Sequence, residues 1–327
     1  MGFPIIRKRI NRSTGAIRDM VAETHLSAAD FIAPVFVVEG SGKKEAIPSM
    51  PEYFRYSLDT LEEELNEIVE LGIRAVLLFV KVEDELKDNT GKEALNPEGL
   101  MQRSIRLIKE KHPDLLVLTD VALDPYSSFG HDGIVEDGKI VNDKTVEVLT
   151  RMSLSHIEAG ADWVAPSDMM DGRIDKIRKA FNDAGFHDKG ILAYSAKYAS
   201  HLYGPFRQAL DSSPGFGDKK TYQMDYRNGR EAISEALLDQ EEGADMVMVK
   251  PGIFYLDVIR RLRQNCQIPV AVYQVSGEYA MIKAASERKW LDHDAIVLES
   301  LYAFKRAGAS VIVTYFAKQA CRLLNKM

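Results

Sequence analysis

The chain predicts a (β/α)8 TIM barrel preceded by an N-terminal arm, and three observations carry that prediction. Eight short apolar runs punctuate the sequence from residue 29 onward. Segments with helical spacing separate them. One transition from helix through Gly-Ala into strand recurs as EAGADWV (158–164), EEGADMV (241–247) and RAGASVI (306–312).

The apolar runs are ADFIAPVFVVEG (29–40), AVLLFV (75–80), LLVLTDVAL (115–123), WVAPSD (163–168), GILAYSAK (190–197), ADMVMVKPG (244–252), IPVAVYQVSG (268–277) and SVIVTYFA (310–317). Most are rich in Val, Ile and Leu without strict alternation, as befits strands buried on both faces of a parallel sheet. Between them, residues 58–72 place Leu58, Leu61, Leu65, Ile68, Val69 and Leu71 along one stripe, and 145–160 and 228–243 behave alike. Gly72, Gly160, Gly243 and Gly308 stand where helices stop. An open doubly wound sheet is the rival architecture, but no strand is followed by G-x-G-x-x-G. Residues 1–28 read as an arm and 29–327 as the barrel. The segment 200–228 reads as a long basic, aromatic connection suited to a lid.

With 327 residues, 46% of them hydrophobic and 28% charged, the chain can bury a large core. The net charge of −7 argues against a general nucleic-acid surface. No run reaches the roughly 18 apolar residues of a membrane span. The start carries Arg7, Lys8, Arg9 and Arg12, but Asp19 and Glu23 follow and there is no apolar signal core. A subunit-gripping arm is preferred there to a nucleic-acid or lipid contact. Cys266 and Cys321 support neither a disulfide framework nor a thiolate zinc cluster, so a reducing, cytoplasmic setting is expected.

In such barrels catalytic side chains gather at the C-terminal ends of strands. Those ends supply Asp120, Asp124, Ser167, Asp168, Lys197, Lys250, Ser276 and Tyr315. Two lysines ending separate apolar strands are the sharpest signal. A partly desolvated lysine with a second ammonium nearby loses its proton more easily and can attack a ketone. A strand-end lysine reaching solvent or pairing with an acid is the bland alternative, favoured for one lysine but less so for two. Asp120 fits a general acid/base or a partner for an amine, and equally a helix cap. Asp168 is equally ambiguous, and Ser167 reads more simply as a cap. Asp124, His131 and Asp132 share a loop with Asp120 and form a hard donor set that could hold Mg2+ loosely; a turn-rich polar loop explains them as well. Arg207, Lys219 and Lys220 can neutralise a carboxylate, with Tyr222 and Gln223 adding hydrogen bonds, while a solvated basic loop is the plain reading.

The sequence resembles the porphobilinogen synthase (5-aminolevulinate dehydratase) family over essentially its full length. The matching stretches include SMPEYFRYS (49–57), LTDVALDPYSSFGHDG (118–133), AYSAKYAS (193–200), DKKTYQMDYRN (218–228), GADMVMVKPG (243–252) and AVYQVSGEYAM (271–281). The resemblance implies a lyase that condenses two 5-aminolevulinate molecules to porphobilinogen through lysine Schiff bases, in tetrapyrrole synthesis. It assigns Lys250 to the P-side substrate and Lys197 to the A-side one. Ser276 and Tyr315 then match P-side carboxylate binders, Arg207 an A-side one, and Gln223 a further A-side contact. Lys219 stands where many members have arginine. Asp120 matches a carboxylate near the P-side amine. Where zinc-dependent members carry three cysteines, this chain has Ala122, Asp124 and Asp132, so catalytic zinc is not expected; a hard ion at the aspartates, or no metal, remains. Glu235 matches an allosteric Mg2+ position. The family usually forms octamers through N-terminal arms, which fits residues 1–28. A one-lysine aldolase-like barrel and a non-enzymatic barrel are the rivals. The first lacks its phosphate-binding turns here, and the second has no use for two strand-end lysines.

Overall fold

The computed structural model describes residues 4–212, 215 and 217–326. Residues 1–3 of the arm, 213, 214 and 216 of the 200–228 segment, and 327 lie outside these.

Eight parallel strands close into a barrel: β1 (Phe31–Val38), β2 (Ala75–Lys81), β3 (Leu116–Val121), β4 (Trp163–Pro166), β5 (Gly190–Lys197), β6 (Met246–Lys250), β7 (Val270–Gln274) and β8 (Val311–Thr314). Each pairs with its neighbours in sequence, and β8 returns to β1 through Phe31↔Ile312 and Ile32↔Val313. Every predicted strand is present. The runs lack alternation because both faces are covered: all eight residues of β1 and of β5 are buried.

The outer layer is α1 (Leu58–Glu70), α2 (Leu100–Lys111), α3 (Asn142–Glu158), α4 (Arg173–Asp183), α5 (Glu231–Glu241), α6 (Leu256–Asn265), α7 (His293–Ala307) and α8 (Ala317–Leu324). Helix α1 buries Leu61, Leu65 and Ile68, the stripe its spacing predicts. The four predicted glycine stops take positive φ, from 84° at Gly72 to 119° at Gly308, where a side chain would be strained.

Three features depart from the sequence reading. A short antiparallel pair, Lys44–Ala46 with Phe54–Tyr56, follows β1 and docks on it. An extra helix, Ser276–Glu287, starts directly after β7. The 200–228 segment is not a plain loop, since it carries a 3-10 turn at His201–Tyr203 and a helix at Gly204–Leu210. Pro205 favours that helix, because proline fits a first turn whose N–H groups have no partner. Arg55, nearly buried, caps its far end by donating from Nε to Ala209 O at 2.8 Å.

The arm holds a 3-10 turn at Lys8–Arg12 and a helix at Gly15–Met20, and no described residue before Phe31 is buried. No helix among the described residues is long and apolar enough to cross a membrane.

Candidate active site

The C-terminal ends of β3, β5 and β6 bring Asp120, Lys197 and Lys250 into one buried cluster. Asp120 is the penultimate residue of β3, and Lys197 and Lys250 end β5 and β6. These two lysines are register partners on adjacent strands. All three are at least 94% buried, with exposures of 6%, 6% and 5% in that order.

The Lys250 ammonium sits among aromatic faces. Its Nζ lies 4.5 Å from the ring centroid of Tyr273, 5.0 Å from those of Tyr194 and Phe206, and 5.5 Å from that of Tyr203. Its carbonyl accepts from Tyr198 N at 2.9 Å and from the Tyr203 hydroxyl at 3.2 Å, which fixes the strand end. Burial first, then the Lys197 charge, bring the Lys250 amine down to about 7; Asp120, Asp124 and Asp132 pull the other way. A neutral amine is thereby accessible near neutral pH, the state a nucleophile needs.

Asp120 is pushed up to about 7, by burial first and then by Asp124, against the pull of Lys250, Lys197 and a Ser167 hydrogen bond. Its Oδ1 is buried without a hydrogen-bond partner. Lys197 donates to the Ser167 carbonyl and lies 3.8 Å from Asp132 Oδ1. Asp168, by contrast, pairs with Arg173 and accepts from Met170 N.

The metal expectation at Asp124 and Asp132 meets a different arrangement. The Lys219 ammonium lies 3.3 Å from Asp124 Oδ2 and 3.3 Å from Asp132 Oδ2, and all three side chains are buried. Burial would raise Asp132, but Lys197 and Lys219 hold it down at about 2. Burial would lower Lys219, yet the two carboxylates raise it. Among the described residues, no three His, Cys, Asp or Glu side chains converge as a metal site. The aspartate pair therefore does not fit an active-site metal; an ammonium already balances its charge. Ala122 is buried beside it and offers no ligand.

Ser276 and Tyr315 come in from β7 and β8. Ser276 begins its helix immediately beyond β7 and accepts from Phe206 N at 2.9 Å, so it also holds the Gly204–Leu210 helix over the barrel mouth. A Cβ at Gly277 would collide with the Leu202 backbone, and glycine permits this approach. Tyr315 is buried, meets the Tyr273 hydroxyl at 3.0 Å and packs against Tyr53 and Phe36. Arg207 is half-buried on the short helix, next to Phe206. Gln223 is buried with Oε1 unpartnered. Tyr222 bonds His131 Nδ1 at 3.0 Å, closing the loop over Asp132. Lys220 stays exposed.

Glu235 lies outside this cluster. It is half-buried on α5, in a cavity of about 990 Å³ lined by Asp171, Asp218, Asp225 and Glu231, by Lys139 and Lys220, and on one side by His131, Tyr222 and Gln223 of the loop over Asp132. Burial, then Asp239, raise its proton affinity.

The aromatic surround of Lys250 escaped the sequence reading. Tyr194 and Tyr273 sit within β5 and β7, a placement that could have flagged them, whereas Tyr203 and Phe206 arrive only through the fold of the connecting segment.

Known proteins share this arrangement of chain. A sequence model of the family Delta-aminolevulinic acid dehydratase matches residues 5–323. The chloroplastic delta-aminolevulinic acid dehydratase of Glycine max is 52% identical over 99% of this chain and 81% of its own length. The delta-aminolevulinic acid dehydratase of Chlamydia pneumoniae is 51% identical over 98% of this chain and 96% of its own. A crystal structure of delta-aminolevulinic acid dehydratase (porphobilinogen synthase) from Toxoplasma gondii, in complex with the reaction product porphobilinogen, superposes with a TM-score of 0.96 at 50% identity, covering 98% of this chain and 92% of that one. With the family model spanning nearly all of it and relatives at half identity along its length, the chain belongs to the delta-aminolevulinic acid dehydratase family.

Proposed function

We propose that this enzyme condenses two molecules of 5-aminolevulinate to porphobilinogen through imines on Lys250 and Lys197, as a step in tetrapyrrole synthesis. The observation that carries the reading is a buried lysine amine brought down to about 7 beside a second buried lysine.

Neutral Lys250 attacks the ketone carbon of the P-side substrate. A carbon–nitrogen bond forms, and the carbonyl oxygen leaves as water. Lys197 acts likewise on the A-side substrate. Each protonated imine draws electrons from the adjacent carbon, so a proton there is lost more easily. One carbon–carbon bond and one carbon–nitrogen bond then join the two substrates. Both lysines are released as amines, and two waters leave in all. Asp120, whose Oδ1 is buried without a partner, takes a proton from the P-side amine. Ser276 and Tyr315 bind the P-side carboxylate; Arg207, Lys219 and Gln223 face the A side. Holding both substrates converts a bimolecular encounter into a positioned one, and the Gly204–Leu210 helix excludes water from it.

Two further readings rest on the surface. Glu235 holds a regulatory Mg2+ largely through water. The arm exposes Ile5, Ile6, Ile10 and Met20, an apolar stripe that fits a neighbouring subunit in an octamer.

Borohydride trapping with 5-aminolevulinate, followed by peptide mass mapping, tests the chemistry. A reduced adduct on Lys250 is expected. A folded enzyme that makes porphobilinogen without adducts on either lysine would remove the imine mechanism.

A further inference from the structure

We propose that Glu278 is a positioning residue that sets the separation between the Lys250 amine and the Ser276 hydroxyl, and so the length of keto acid the P side accepts. The proposal rests on the imine reading above.

Strands β6 and β7 pair through Val247↔Val270, Met248↔Ala271 and Val249↔Val272. That ladder stops one residue short of Lys250, whose own register partner is on the other side, at Lys197. Beyond this point the chains carrying the amine and the hydroxyl diverge into separate turns. Glu278 bridges them. It is fully buried, and its carboxylate accepts from three main-chain N–H groups: Val275 at 2.6 Å, Gly252 at 3.4 Å, and Ile253. Gly252 and Ile253 follow Lys250 by two and three residues, and Val275 immediately precedes Ser276.

Only a carboxylate suits this task, since two oxygens provide acceptors for all three donors, whereas an amide would turn its own N–H groups toward one of them. Burying an anion is unfavourable unless it is hydrogen-bonded, so a side chain that merely filled space here would be apolar. Burial pushes Glu278 up to about 7, with the Ile253, Val275 and Gly252 N–H groups pulling it back.

A keto acid bound at both ends spans the gap that Glu278 holds fixed. The P side then discriminates by the number of carbons between ketone and carboxylate. The test compares borohydride trapping on Lys250 with 4-oxopentanoate, which has the substrate's spacing, and 5-oxohexanoate, which has one more methylene. The wild-type enzyme is expected to prefer the former by on the order of tenfold or more. In E278Q and in the shorter E278D, that preference should fall to within about threefold, and kcat with 5-aminolevulinate should drop on the order of a hundredfold. If the wild type traps neither acid on Lys250, the imine reading itself fails. If the wild type discriminates and folded variants keep the same preference, the proposal alone is overturned. Loss of folding in both variants overturns it too, because the residue would then serve the fold rather than the substrate.

Discussion

Lys197 and Lys250 end neighbouring parallel strands as direct register partners, which puts two buried lysine amines side by side. The pairing makes each lysine part of the other's chemistry. Burial leads the drop in Lys250 proton affinity, and the Lys197 charge adds to it. Below about 7 Lys250 is protonated and above it neutral, so trapping at Lys250 should weaken as pH falls through that value. Lys197→Met removes the repulsion that favours the neutral form. The midpoint of Lys250 trapping against pH should then move upward; an unmoved midpoint would show that the two amines do not interact.

Ser276→Ala removes a hydroxyl that accepts from Phe206 N and is assigned to a substrate carboxylate. A hydrogen bond to a charged group contributes about 1.5–3 kcal/mol, so kcat/KM should fall roughly ten- to hundredfold. Steady-state kinetics with 5-aminolevulinate measures this, and a wild-type value would place the carboxylate elsewhere.

Lys219→Met strands two buried carboxylates. Breaking a buried pair by removing one partner costs about 3–5 kcal/mol. Denaturant unfolding should show that loss for the single variant, while adding Asp124→Asn and Asp132→Asn should recover much of it. Equal stability of single and triple variants would mean that the ammonium is not balancing this pair.

Mg2+ activation should be diminished or absent in Glu235→Gln. Turnover measured across a Mg2+ titration tests this, and unchanged activation would place the ion away from α5.

Deletion of residues 1–28 should reduce the size of the assembly while leaving the barrel folded. Light scattering after gel filtration reads the size and circular dichroism the fold. An assembly of unchanged size would return the exposed isoleucines of the arm to another use.

Much of this architecture was legible locally. Eight apolar runs, most of them rich in Val, Ile and Leu without alternation, marked the strands, because burial on both faces leaves no polar period to read. Lys197 and Lys250 stood out because a charged residue closing an apolar strand is conspicuous wherever it points. Ser276 and Tyr315 at strand ends and Arg207 in the long segment were weak signals by themselves, and family resemblance gave them their carboxylate roles. Lys219 illustrates what stayed hidden: it lies 95 residues from Asp124, and no local spacing foretells that its ammonium lands between two carboxylates. The helix at Gly204–Leu210 was obscured by Gly, Pro and Ser around it, which read as loop. The role of Glu278 depends on where a strand ladder stops, a property of three-dimensional register that the sequence carries only implicitly.

Closure of β8 against β1 has a consequence for the order in which this protein can come into being. During synthesis the first strand emerges early and gains β2 on one edge and Phe54–Tyr56 along part of the other, but Phe31 and Ile32 on that second edge stay unpaired until Val311–Thr314 is made. Tyr315 arrives with that last strand. The growing chain therefore carries a partly open sheet edge until β8 is made, and until then Tyr315 is missing from the aromatic cluster around Tyr273 and Tyr53. Its exposure to mispairing is greatest over that interval.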